Sequence, residues 1–305
     1  MEKSKKHPTN KSNVIATLAL LALASILLLL TFGKDIALLN PKGMIADEQN
    51  SLLIMSTLVM LGFAVPVILT IYFMAWRYRE DNGKSDYHPE TKNNKAFLLF
   101  AWGGPLITVL VLASLMLPAT QRLAPKNAIA SDNSEITVQV VSLNWKWLFI
   151  YPEHGIAAIN HAQIPVDTPV RFELTADGAP MSAFWIPHLG GMLYSMTGHV
   201  NPLNLVADTV GDYPGSSAEI NGPGFAGMKF ITRVSSQEDF DAWVNTTKQS
   251  SPPLDEAEYS RLLEPSENNK AMFYSTSNPQ LFNTIVEKYN AGHQHDGDSE
   301  GNESY

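Results

Sequence analysis

The sequence contains no cysteine. A chain without thiols forms no disulfide bond, thiolate metal site or cysteine nucleophile, so a domain outside the cytoplasm must be stabilised by its hydrophobic core alone. Basic residues are scarce towards the end: 118–305 hold 10 Lys and Arg against 22 Asp and Glu, whereas 1–117 hold 11 against 8. The acidic balance argues against nucleic acid as a partner, because phosphate would be repelled. An apolar, slightly basic front and an acidic rear predict a membrane anchor that carries a soluble domain.

Three long apolar runs without acidic or basic residues are predicted to cross a membrane as helices, at 14–32, 52–76 and 97–117. Lysines precede the first run, and 77–96 carries five basic residues, whereas 33–50 carries two. Because positive residues stay in the cytoplasm, the N-terminus and 77–96 are predicted to lie inside and 118–305 outside. The first run is also compatible with a cleaved signal peptide.

Short apolar segments separated by Gly and Pro follow the third run and predict a β-sandwich or barrel. The predicted strands are 135–142, 145–151, 169–175, 181–187, 200–207 and 225–234. From Ser236, a plausible helix cap, the spacing of Phe240, Trp243 and Val244 becomes helical. Further helices are predicted at 256–263 and 279–289, and the polar end of the chain is predicted to be disordered.

Three groups of residues carry a resemblance to subunit II of the haem–copper respiratory oxidases, over roughly 35–290. They are Leu39-Asn40-Pro41-Lys42-Gly43, the aromatic segment 145–153 and the two loops 181–187 and 215–228. The resemblance implies a membrane-anchored α+β protein, with N-terminal transmembrane helices, a cupredoxin-like Greek-key β-sandwich and a helical C-terminal tail. The implied division is 1–34 (an apolar segment), 35–120 (a transmembrane hairpin), 121–235 (the cupredoxin-like domain), 236–290 (an aromatic-rich helical tail) and 291–305 (a disordered tail).

The two loops resemble those that hold two coppers in oxidases that accept electrons from cytochrome c. There, two Cys and two His supply the strong ligands, and a Met sulfur and a carbonyl supply the weak ones. In this sequence Ser182 and Phe225 stand at the His positions and Ser217 and Asn221 at the Cys positions, while Glu219 and Met228 remain at the weak positions. A thiolate-bridged centre cannot form without thiolates. We therefore expect no catalytic, cofactor-binding or metal-binding residue in this chain, only vestigial copper-site positions.

An oxidase fold without its copper ligands resembles the quinol-oxidising branch of the family, most closely the bo-type ubiquinol oxidases. The resemblance implies subunit II of a proton-pumping terminal oxidase that passes electrons from ubiquinol to oxygen, with a structural or assembly role. Haems and copper are expected in partner subunit I, with further oxidase subunits and membrane lipid as neighbours. The implied location is the bacterial inner membrane, with the C-terminal domain in the periplasm. Two alternatives stay open: a cytochrome c oxidase subunit II, and a membrane-anchored cupredoxin-fold binding protein outside any oxidase.

Histidines and tryptophans offer other candidate sites. His188 lies near the first loop and has two readings, a mononuclear metal ligand or, as we expect, a surface or interface residue. The pair His293 and His295 predicts at most adventitious metal binding, and the remaining downstream histidines are expected in loops: His154, His161 and His199. Trp145 and Trp147 stand where a copper centre would pass electrons on, and without copper we expect them to pack against subunit I.

Overall fold

The computed structural model describes residues 36–78, 95–129, 131, 133–179, 181–276 and 278–296. Helices α1 (Met44–Arg77) and α2 (Lys95–Arg122) cover the second and third predicted membrane spans. Both are long, apolar and exposed to solvent, and both are able to cross a membrane by length and composition. A Cβ atom on Gly104 would lie 2.5 Å from the Phe63 ring, so a residue without a side chain lets the two helices approach closely. The predicted span at 14–32 lies outside the described residues.

Two sheets follow the helices and pack as a sandwich. Their strands are β1 Ile136–Leu143, β2 Lys146–Tyr151, β3 Ile156–Ile159, β4 His161–Pro165, β5 Val170–Ala176, β6 Ser182–Trp185, β7 Leu193–Ser195, β8 Asn201–Leu205, β9 Gly211–Ser217, β10 Lys229–Ser235, β11 Pro253–Leu254 and β12 Met272–Thr276. The larger sheet has the strand order β11-β12-β3-β2-β1-β5-β8, and the smaller has β4-β10-β9-β6-β7. The pairs β1–β5, β4–β10 and β11–β12 are parallel and the other pairs are antiparallel. Parallel neighbours need crossover connections, so the chain passes repeatedly between the sheets.

Aromatic side chains fill the space between the sheets. Phe184 and Phe230 stack with centroids 5.0 Å apart, and Trp147 meets Phe184 edge-on at 5.3 Å. Trp147 is fully buried in this core. The expectation that it packs against a partner subunit was therefore wrong, because an indole enclosed between two sheets has no surface left for another chain.

The C-terminal part packs on the sandwich, and its last two helices cover the outer face of the larger sheet. It contains α3 (Gln237–Ser250), α4 (Glu256–Leu263) and α5 (Leu281–Asp296). The Ser236 hydroxyl accepts a hydrogen bond from the Asp239 amide at 3.1 Å, which confirms the predicted cap. Apolar side chains of α4 and α5 pack on the sheet in a second cluster, which includes Leu148, Ile159, Tyr259, Phe282 and Ile285. Two membrane-type helices, a sandwich and a helical tail confirm the predicted fold class.

Several local features differ from the sequence prediction. The segment predicted as one strand at 225–234 begins as a 3-10 turn, Pro223–Gly227, and becomes β10 only at Lys229. His161 was expected in a loop, but it is the first residue of β4. The tail contributes β11 and β12, which extend the larger sheet through β3, and α5 runs past residue 290 to Asp296. The proposed division of the chain at 34, 120, 235 and 290 stays a prediction.

The segment before α1 is fastened to the sandwich. The Lys42 amide donates to the His188 carbonyl at 2.8 Å, the Asp208 amide donates to the Lys42 carbonyl at 3.1 Å, and Gly43 forms a β-bridge with Ala207. A Cβ atom on Gly43 would clash with the Val206 carbonyl oxygen, so this approach requires glycine. These contacts, which we call the joint, fix how the helices meet the sandwich.

Candidate functional site

The two loops that resemble copper loops meet at the end of the smaller sheet. Ser182 is the first residue of β6, and Ser217 is the last residue of β9. These strands are antiparallel neighbours, with Phe184 opposite Ser217. The Ala218 amide donates to the Ala183 carbonyl at 2.9 Å just beyond the ladder. Strand pairing therefore brings the two loops side by side.

Three of the six predicted positions form one hydrogen-bonded cluster. The Asn221 Nδ2 atom donates to Ser182 Oγ at 2.7 Å and contacts Met228 Sδ at 3.2 Å. All three residues are buried. We call Ser182, Asn221 and Met228 the polar cluster. Its hydrogen bonds join the two loops directly, side chain to side chain, and no bridging ion is needed to hold them together.

The other three predicted positions lie beside the polar cluster. The Ser217 hydroxyl donates to the Glu219 carbonyl at 3.0 Å, and the Ser217 amide donates to the Met228 carbonyl at 3.2 Å. The Glu219 carboxylate lies 3.5 Å from the Tyr194 hydroxyl, which donates to it. Phe225 is half-buried in the 3-10 turn, where its amide donates to the Gly222 carbonyl at 3.2 Å. The two weak-ligand atoms of this loop therefore already have protein partners. The Glu219 carbonyl oxygen accepts from the Ser217 hydroxyl, and Met228 Sδ contacts the Asn221 amide.

The indole of Trp145 packs against the second loop, 215–228. Its backbone has a φ of 58°, which is rare for a residue with a large side chain, and its indole Nε1 donates to the Asn221 carbonyl at 3.3 Å. A Cβ atom on Gly224 would lie 2.5 Å from the indole, and Gly222 has a φ of 125°. Both glycines are therefore required for the loop to lie against the indole. The half-buried Trp145 keeps the loop in shape by packing.

The polar cluster has little chemical capacity. Its groups are a hydroxyl, an amide and a thioether, which do not titrate near neutral pH and are weak ligands for a redox metal. Across the ranges that the structure describes, no three His, Cys, Asp or Glu side chains are close enough to hold a metal ion. His188 Nδ1 lies 3.1 Å from the Asn40 carbonyl oxygen, at the joint. The dinuclear copper centre does not fit these residues. The assignment of the six positions as former copper ligands stays a prediction.

Comparison with known proteins gives close relatives over most of the chain. Cytochrome bo(3) ubiquinol oxidase subunit 2 of Pseudomonas putida is 42% identical over 86% of this chain and 83% of its own length. The ubiquinol oxidase subunit 2 of Acetobacter aceti is 40% identical over 92% of each chain. This chain belongs to the ubiquinol oxidase subunit 2 family. The resemblance predicted from the sequence is confirmed.

Two further comparisons concern parts of this ubiquinol oxidase family member. The COX Aromatic Rich Motif family matches residues 248–293. The periplasmic domain of subunit II of cytochrome oxidase from Bradyrhizobium japonicum is 23% identical, with a TM-score of 0.38, and covers 40% of this chain and 98% of that one.

The aromatic-rich segment of this ubiquinol oxidase family member converges on a buried carboxylate that sequence reasoning missed. Asp177 is 1% exposed, and its two oxygens accept hydrogen bonds from Tyr259 (2.6 Å), Tyr289 (2.7 Å) and Lys288 (2.8 Å). We call these four residues the Asp177 cluster. Burial alone would raise the pKa of the Asp177 carboxyl, but the three hydrogen bonds outweigh it and lower that pKa below its ordinary value. No local pattern marks this contact, because its partners lie in α4 and α5, far along the chain.

Proposed function

We propose that this chain is a structural subunit, without a redox centre of its own, of a proton-pumping terminal oxidase that transfers electrons from ubiquinol to oxygen. The observation that carries the proposal is the polar cluster. Neutral side chains stand at the predicted positions of the strong copper ligands, and two of them, Ser182 and Asn221, are hydrogen-bonded to each other. The names of the curated relatives, ubiquinol oxidase subunit 2, support the same substrate.

The redox chemistry in this proposal belongs to a partner subunit I, which holds the haems and copper and takes electrons from quinol in the membrane. Helices α1 and α2 anchor the chain in the bacterial inner membrane, where their exposed apolar faces contact subunit I and lipid. The sandwich then lies on the periplasmic side as a cover over that subunit. An exposed apolar helix surface of this extent is stable only in lipid or against another protein.

Purification of the tagged full chain from native membranes in mild detergent tests the proposal. We expect a large haem-containing partner to co-purify, and the complex to consume oxygen with a short-chain ubiquinol but not with reduced cytochrome c. A chain that is purified without any haem protein would instead support a membrane-anchored binding protein. Stoichiometric copper pairs bound to this chain would support a cytochrome c oxidase subunit, and either result would overturn the proposal.

A further inference from the structure

A cleft of about 690 Å³ lies where the membrane-type helices meet the sandwich. Its walls are the first turns of α1, the last turns of α2, the segment after α2 and strand β8. The volume is within the range of sites for small molecules, about 300–1,000 Å³. Away from the sandwich its wall is apolar, with Leu52 and Met116, and towards the sandwich it carries the polar residues Asn127 and Asn204. A ligand for this cleft would therefore have an apolar part and a polar part.

One ion pair stands in the wall of the cleft. Arg122 Nη2 and Nε lie 3.0 and 3.1 Å from the same oxygen, Oε2 of Glu48. A guanidinium has five N–H donors, and these contacts use two of them. The Arg122 side chain is 68% exposed and that of Glu48 is 35% exposed, so both charges remain accessible to a ligand. The pair presents a positive and a negative group side by side.

The positions of Glu48 and Arg122 along their helices indicate the depth of the ion pair relative to a membrane. Glu48 lies four residues before Leu52, where the apolar run of α1 begins, so about 6 Å of helix separates them. Arg122 is the last residue of α2. If both helices cross the bilayer as proposed above, the ion pair lies at the level of the lipid headgroups.

We infer that this cleft binds one zwitterionic phospholipid of the phosphatidylethanolamine type. Arg122 binds the lipid phosphate, Glu48 binds the ammonium group, and an acyl chain lies against the apolar wall. The headgroup matches the charges of the pair, whereas an anionic phospholipid without an ammonium group leaves Glu48 facing a phosphate. This inference rests on the proposed membrane topology of α1 and α2.

The test uses the full chain, with its co-purifying partners, in nanodiscs made of equal parts phosphatidylethanolamine and phosphatidylglycerol. One of the two lipids carries a photoactivatable diazirine in the acyl chain, and labelled peptides are mapped by mass spectrometry. We expect cleft peptides to be labelled preferentially by phosphatidylethanolamine. Glu48→Gln should remove this preference, a change of about fivefold for one charge near a membrane surface. Arg122→Gln should lower labelling by both lipids.

A second exposed ion pair, Arg233 with Asp212 on the sandwich, provides the matched control. Asp212→Asn and Arg233→Gln should leave cleft labelling unchanged. Equal labelling by both lipids in the wild type, or a preference that Glu48→Gln does not alter, would overturn the lipid site. Labels along α1 and α2 but none in the cleft would do the same. Absence of label on both helices would contradict the membrane topology, while haem co-purification separately tests the oxidase assignment.

Discussion

The Asp177 carboxylate fastens the aromatic-rich tail to the sandwich, and Asp177→Asn tests how strongly. Each hydrogen bond to a charged group stabilises a protein by about 1.5–3 kcal/mol. The Lys288 side chain is half exposed, so solvent screening reduces its contribution. Bonds from Tyr259 and Tyr289 to a carboxylate that is 1% exposed therefore predict a loss of about 3–5 kcal/mol of unfolding free energy.

The same carboxylate gives a defined pH dependence. Its pKa in the folded chain is lowered below the ordinary value of 3.8. A group of this kind contributes stability that is present above its unfolded pKa and is lost as pH falls through its folded pKa. The wild type should therefore lose tail stability below about pH 3.8, and Asp177→Asn should lack that acid-dependent loss.

Urea unfolding of the full chain in detergent, followed by hydrogen exchange of α4 and α5 amides, measures both effects. Asp212→Asn is the matched control, because that carboxylate is exposed and its pairing with Arg233 is worth at most about 1 kcal/mol. If Asp177→Asn destabilises the tail no more than this control does, the reasoning about the buried cluster is refuted.

Two predictions concern the polar cluster and its support. Four changes restore the strong copper ligands: Ser182→His, Ser217→Cys, Asn221→Cys and Phe225→His. The variant should form a purple dinuclear copper centre, which is detected by thiolate absorption and electron paramagnetic resonance. The two His changes alone should give no copper pair, and a folded fourfold variant that binds no copper would show that the loop assignment is wrong. Gly224→Ala should lower the unfolding free energy by about 1–3 kcal/mol, because its Cβ would lie 2.5 Å from the Trp145 ring. The exposed neighbour Ala226→Ser serves as control, and equal stability of the two variants in urea would contradict the packing role of Trp145.

The sequence predicted the elements that have a strong local pattern. Strands β1, β2 and β5 have dense or alternating apolar residues, and α4 was predicted with its observed bounds, Glu256–Leu263. Strands β7 and β11 have three and two residues, too few to show a period, and they form because neighbouring strands offer hydrogen-bonding partners. The turn before β10 was missed because Gly222 and Gly224 are needed for close packing against the indole of Trp145, which is far away in the sequence.

The sequence predicted where the candidate site lies, but not the hydrogen bonds between its side chains. The resemblance placed Ser182 and Asn221 in facing loops, and the structure brings their side chains to 2.7 Å. The hydrogen bond itself depends on rotamers that no pattern encodes. Trp147 was misassigned because an aromatic residue beside a binding loop and one in the core look alike in sequence. The Asp177 cluster joins residues 82 to 112 positions apart, a separation beyond any local signal.

The joint before α1 has a consequence for recombining such chains. Lys42 and Gly43 are hydrogen-bonded to the sandwich, and α1 starts at the very next residue, Met44. On the other side, the Asn204 amide and side chain both donate to the Pro125 carbonyl at 3.1 Å, just after α2 ends. With both connections tied, the outer domain cannot turn freely above the helices. A chimera that exchanges hairpins between relatives therefore has to carry residues 40–43 and 123–127 with the sandwich, since one added residue at α1 would rotate the helix by about 100°.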